Sequence, residues 1–304
     1  MSYVGFDLDQ TLADVTSVYL FLVTLTMRYY IQEDKPYMVP YFSEELEQQL
    51  QRAYQLFVHR ITIEEVSTRP LGIIRPGIFR IMQQINAMKS TIKGVVIYSN
   101  NRYLPSLQFV QDIIHRVIGS PIIGSCIHWN HPCRTSDHET QPMITKSWNT
   151  LKTILIDQGA PLDLSPQRVL FFDDQDHFHL QSALQTSYHK VPIYQTRDTF
   201  DRIASIYMNC MKEAKVNMYS VYLYLAELME EEMSELDPSR FVTSDLIRLI
   251  RKGTEHTYPT EPHRNDGGIR IMRHALQDII IQDQVIRGGK RHTRRNHRRT
   301  IKRQ

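Results

Sequence analysis

Cysteine is scarce: Cys126, Cys133 and Cys210 are the only three in 304 residues. That number is too small, and odd, for a disulfide framework, and it implies a reducing compartment. Long apolar runs are also missing. The longest, Val18 to Met27, is interrupted by Thr24 and Thr26 and falls short of the ~20 residues that span a bilayer. Asp7 and Asp9 interrupt the first apolar stretch, which does not read as a secretory leader. No internal repeat is visible. The expectation is an intracellular protein, cytoplasmic or nuclear, with no membrane span.

Acid is absent from one region. Residues 287–304 carry nine Lys and Arg and no Asp or Glu. With the whole chain at +3, the remainder is at −6. A mildly acidic body with a basic tail differs from a uniformly basic protein. The tail either serves solubility or sorting, or acts as an arm for nucleic acid or another polyanion. No aromatic residue interrupts it, so base stacking is not its mode. In composition it is similar to tails on proteins of large DNA viruses, which would put the protein in a host cell or a virion.

What is present suffices for a folded protein. A hydrophobic content of 41% and a charged content of 23% support one sizeable core with an accessory unit. Residues 2–7 read as a buried strand ending on Asp7. Residues 14–31 and 43–59 read as two helices, joined by a segment with Pro36 and Pro40. Gly72 to Pro76 is a turn opening a helix that runs to about Met88. Residues 93–98 form a second strand and 105–117 a helix. Residues 119–145 read as irregular, and 146–157 as a helix. Residues 168–173 form a third strand, and Val191–Tyr194 a fourth. Beyond 200, helices are expected over 200–235, 243–252 and 269–286, with a linker at 253–268.

Strands alternating with helices define an α/β fold with a doubly wound parallel sheet. Its parts are a core over 1–199, a helical insertion at 13–72, a helical region at 200–286 and the basic tail at 287–304. Ligands bind such sheets beyond the carboxyl ends of the strands. Asp7, Ser99 and Asp173 end three strands and are expected to converge there.

Four elements carry chemistry. Asp7-Leu8-Asp9-Gln10-Thr11 sets two carboxylates two residues apart just past a strand. One can attack phosphorus and the other can move protons. Ser99-Asn100-Asn101 offers a hydroxyl and backbone N–H groups to phosphate oxygens. Lys146, at the start of a helix, offsets charge on a phosphoryl group and on carboxylates. Asp173-Asp174 brings in further acids. Acids crowded this closely need a divalent cation, and oxygen ligands beside a phosphate suit Mg2+.

In this order the four elements resemble the haloacid-dehalogenase-like (HAD) hydrolase superfamily, of Rossmannoid fold, over roughly residues 3–195. The resemblance implies Asp7 as nucleophile and Asp9 as general acid and base. It implies Mg2+ on Asp7, the Asp9 carbonyl and Asp173, with Ser99, Asn100 and Lys146 at the phosphate. Asp174 and Thr11 would support them. Arg75-Pro76-Gly77, followed by a helix and Val-Val-Ile-Tyr-Ser, is similar to the carboxy-terminal-domain protein phosphatase branch. The insertion at 13–72 fits that nearly capless branch poorly and lies where other members carry a cap. Asp9 points to a phosphatase rather than a dehalogenase. The expected activity is hydrolysis of a phosphate monoester. The alternatives are a nucleic-acid end phosphatase, a protein phosphatase, or a non-catalytic binding protein on the same fold. Cys126, His128, His131, Cys133 and His138 form a second cluster. Its spacing matches no zinc pattern, and it reads either as a zinc site or as a polar loop near the substrate.

Overall fold

The chain opens with β1 (Ser2–Phe6). Its side chains alternate between two packing faces, as a strand's two-residue period requires. Val4 and Phe6 join one hydrophobic cluster, and Tyr3 joins the other. Gly5 faces the Phe171 ring so closely that a Cβ would collide with it. The computed structural model describes residues 2–134, 146–196, 199–229, 241–254 and 267–281. The Glu230–Glu232 run, most of the expected linker, His138 and the basic tail lie outside those residues.

Four further strands complete the sheet: β2 (Ile92–Tyr98), β3 (Ser125–Ile127), β4 (Val169–Asp173) and β5 (Tyr188–Lys190). All pairings are parallel, in the order β3-β2-β1-β4-β5. The chain winds outward from β1 to β3, then returns to the other edge of β1. β1 and β4 run in register, Phe6 opposite Phe172. Their carboxyl ends therefore emerge side by side where the winding reverses, the position at which open parallel sheets bind ligands.

Two strands differ from expectation. β3 falls inside the segment read as irregular, because three residues carry no measurable periodicity. β5 lies just before Val191–Tyr194. The Val191 N–H still reaches the Asp173 carbonyl at 2.7 Å, but Pro192 has no N–H to continue the ladder.

Between β1 and β2 lie α1 (Tyr19–Leu25), α2 (Met27–Asp34), α3 (Glu44–Glu65) and α4 (Ile78–Ala87). The helix expected over 14–31 is split at Thr26, whose backbone leaves helical geometry. Its hydroxyl donates to Leu22 O at 2.8 Å and also meets the Tyr103 hydroxyl. Ser43 caps α3 by accepting from Leu46 N, and Glu44, Glu45 and Glu47 fill the first turn. Both features favour a helix start. α3 runs six residues past the expected end, to Glu65, whose carboxylate accepts from Ile73 N at 2.9 Å.

The remaining helices are α5 (Leu104–Ile118), α6 (Trp148–Asp157), α7 (Phe178–Leu184), α8 (Phe200–Glu213), α9 (Met218–Leu228), α10 (Thr243–Thr254) and α11 (267–281). α6 and α7 cover the sheet face that carries Tyr3, Val96 and Phe171. The other face shares one core with α1, α3 and the helices after 200. Phe21 of α1 packs on Phe200 and Tyr207 at 5.3 and 5.1 Å between ring centroids. No helix among the described residues is long and apolar enough to cross a membrane.

Candidate functional site

The geometry starts with the turn after β1. Leu12 N and Ala13 N both donate to Leu8 O, at 2.9 and 3.1 Å, and Gln10 N donates to Ala13 O at 2.7 Å. Gln10 adopts φ 60°, a left-handed conformation uncommon outside glycine. Leu8 and Leu12 are fully buried and anchor the turn. This tight loop takes the chain out of strand geometry directly after Asp7. Arg75, almost fully buried, braces the loop by donating from Nη1 to Thr11 O at 3.1 Å.

Lys146 joins two strand ends. Its Nζ lies 2.5 Å from Asp7 Oδ1 and 2.6 Å from Asp173 Oδ2. All three side chains are buried. Lys146 does not begin a helix turn itself: it precedes Ser147, which caps α6 by accepting from Thr150 N. Asp174 turns toward the same place, where its Oδ1 accepts from Thr11 Oγ1 at 3.1 Å. Thr11 thus ties the first loop to the last. His177 Nε2 lies 3.4 Å from Asp173 Oδ2.

The electrostatics are lopsided. Burial pushes the Asp7 carboxyl well above the usual carboxylate range; Asp173 and Asp9 add to this, and Lys146 opposes it. Burial likewise lifts Asp9 to about 6, against the hydrogen bond from Asn101. Asp174 is raised by burial and by Asp173. Burial alone would lower Lys146, but Asp7 and Asp173 outweigh it and hold the ammonium charged. Burial and Lys146 depress His177 to about 4, so its ring is neutral near pH 7. One cation therefore faces four carboxyls, and further positive charge is what the site lacks.

A divalent ion fits that deficit. Asp7, Asp173 and Asp174 each offer an oxygen, and the three oxygens lie within 4.8 Å of one another. Among the described residues this is the one group with such spacing. An all-carboxylate set suits a hard cation such as Mg2+. Asp174, expected only to support the site, thus stands among its candidate ligands. The side chain of Asp9 is not part of that trio and accepts from Asn101 Nδ2 at 3.1 Å.

Ser99 lies buried at the end of β2, and its Oγ accepts from Asn101 N at 3.1 Å. Asn100 points its Oδ1 at Arg134 Nη2, 2.9 Å away. It is therefore Asn101, not Asn100, whose amide reaches an acid of the site. Arg134, fully buried, also donates from Nη1 to Ser99 O at 2.9 Å and lies over the rings of Tyr98 and Trp129. Sequence reasoning gave no role to the Asn101 side chain, to Arg134 or to His177. Adjacency to Ser99 was the only signal for Asn101. Arg134 and His177 carried none. Cys126 packs with the core on one face of the sheet and Cys133 with that on the other, so these two thiols do not form one centre.

Fold and site together define an α/β protein with a Rossmann-like, five-stranded parallel sheet and a buried aspartate–lysine centre at its carboxyl edge. No protein-family model matches the chain, and no curated protein matches it.

Proposed function

We propose that the protein is an Mg2+-dependent phosphomonoester hydrolase of the HAD-like type that works through an aspartyl-phosphate on Asp7. One observation carries this reading: Lys146 bridges the carboxylates of Asp7 and Asp173, with Asp9 and Asp174 beside them. Such a centre suits the transfer of an anionic group between oxygens.

Asp7, Asp173 and Asp174 would hold Mg2+, which would supply charge neutralisation for the phosphoryl oxygens. The residues do the rest. An oxygen of Asp7 attacks phosphorus, and the bond from phosphorus to the ester oxygen breaks. Asp9, held near pKa 6, gives its proton to the departing oxygen. It then takes a proton from the water that attacks the acyl phosphate, which releases inorganic phosphate and restores Asp7. Lys146 balances charge on Asp7 and the phosphoryl group, and the end of β2 at Ser99 binds phosphate oxygens. In this reading α1 to α3 act as a cap governing access, and α8 to α11 are a C-terminal extension.

The test is turnover of p-nitrophenyl phosphate. Asp7→Asn and EDTA should each abolish it, with the variant's circular dichroism unchanged. Wild-type protein inert toward a panel of phosphate esters in Mg2+ would defeat the reading.

A nucleic-acid end phosphatase is the second reading, and a groove of about 930 Å³ between α4 and α11 favours it. Arg80, Arg270, Arg273 and His274 line it, with no acid among the described lining residues. The basic residues 287–304 follow α11 in sequence. Replacing Arg270 and Arg273 by Gln should weaken hydrolysis of a 3′- or 5′-phosphorylated oligonucleotide and spare p-nitrophenyl phosphate. Equal losses on both substrates would refute it.

A further inference from the structure

A smaller cavity of about 300 Å³ is linked to Asp9 through Asn101. Tyr19, Tyr29, Tyr30, Tyr103 and Trp129 supply its aromatic surface. Tyr103 sits at the centre of the cluster, edge-on to Tyr19 and Tyr29 at 5.5 and 5.6 Å. Polar groups come from Glu33, Arg102 and Asn130. The volume is at the small end for ligand pockets, enough for one flat ring system and too little for a folded peptide.

Asn101 connects two residues of this lining to Asp9. Its Oδ1 accepts from Tyr103 N at 2.8 Å, and its carbonyl accepts from Trp129 N at 2.9 Å. Its Nδ2 donates to Asp9 at 3.1 Å. A group seated among the rings is thus one residue away from the acid assigned to protonate the leaving oxygen.

We infer that the cavity receives the base of a nucleotide whose phosphate reaches Asp7. The polar groups of the lining select a base over a plain phenyl ring. The aromatic walls offer π surface, which any base accepts. Glu33 can accept and Arg102 and Asn130 can donate hydrogen bonds, which matches the mixed donor and acceptor edge of a base. The substrate class is therefore a nucleotide, either free or at a chain end. The phosphate part of this inference rests on Asp7 as nucleophile; the seating of the base does not.

The experiment separates the two. Trp129 and Trp148 are the only tryptophans, so Trp148→Phe leaves Trp129 as the sole indole reporter. Guanosine 5′-monophosphate should quench it saturably, and glycerol 3-phosphate should not. In wild-type protein, kcat/KM for the nucleotide should exceed that for glycerol 3-phosphate by at least about 100-fold. Tyr30→Ala should narrow that ratio about tenfold, the range expected for one lost base-stacking contact. Quenching without hydrolysis of any ester overturns the nucleophile assignment and upholds the pocket. Hydrolysis with no quenching and a ratio near one overturns the pocket and upholds the nucleophile. Phenyl phosphate that quenches and turns over as well as the nucleotide overturns the choice of a base.

Discussion

Asn101 donates from its side-chain nitrogen to Asp9 Oδ2 across 3.1 Å. The same amide is held from behind by the Tyr103 N–H on its oxygen, so the side chain has little freedom to turn. Asn101 therefore acts as a positioning residue for the proposed acid. Asn101→Ala should lower kcat by about 10- to 100-fold, below the full 10²–10⁴ of general acid–base catalysis, with KM little changed. A steady-state comparison on p-nitrophenyl phosphate checks it. Substrates with a good leaving group should lose less than alkyl phosphates, an effect a purely structural role would not produce.

Among the described residues, Lys146 is the cation paired with both Asp7 and Asp173. Lys146→Met leaves them mutually repelling in a dry site, and breaking a buried pair in this way costs about 3–5 kcal/mol. Thermal unfolding should show a lowered midpoint. Added Mg2+ should recover part of the loss and should raise the midpoint more in the variant than in the wild type. An equal response in both would show that Lys146 and the ion do not answer the same charge.

Mg2+ should stabilise the native chain by mass action, by about 2.7 kcal/mol at 100 times its Kd. Asp173→Asn keeps the shape of the side chain and removes its charge, so this stabilisation should vanish. Differential scanning calorimetry with and without Mg2+ makes the comparison. A wild-type midpoint indifferent to Mg2+ would count against the carboxylate trio as a metal site.

Glu65 gives a prediction in pH, away from the site. Burial lifts it to about 7, although the N–H groups of Ile73 and Ile74 pull the other way. In the unfolded chain a glutamate titrates near ~4.3. Below that pH both states hold the proton. Between there and about 7, unfolding releases a proton, so this residue's contribution to stability falls as pH rises. Glu65→Gln removes that dependence. The midpoint of the variant relative to the wild type should therefore improve between pH 5 and pH 8. A constant difference across that range would refute the assignment.

Much of this arrangement was legible in the sequence. β1, β2 and β4 are apolar runs that end on polar residues, and that pattern alone located Asp7, Ser99 and Asp173. The structure brings Asp7 and Asp173 together at Lys146, and it adds Asp174, which the sequence reading held only as a support. The remainder was hidden for physical reasons. β3 is too short to have a period, and Pro192 moved the end of β5. Thr26 broke a helix through a hydroxyl contact with Tyr103, 77 residues away in sequence. Arg134 serves the site through the backbone carbonyl of Ser99, and a carbonyl carries no residue identity from which a partner can be guessed. Which member of the Asn100–Asn101 pair faces the acid depends on one backbone turn, and the two residues are identical in type.

The winding of the sheet also sets an order of synthesis. β1 pairs on one edge with β2 and on the other with β4, Tyr3 facing Val169, which lies 166 positions further along the chain. At roughly 5–20 residues per second, the ribosome takes on the order of 10–30 s to deliver the second partner of the strand that carries Asp7. Lys146 emerges before Asp173, so a cation reaches the growing site before its last acids do. The buried charges are thus gathered only once most of the hydrophobic sheet can already close around them.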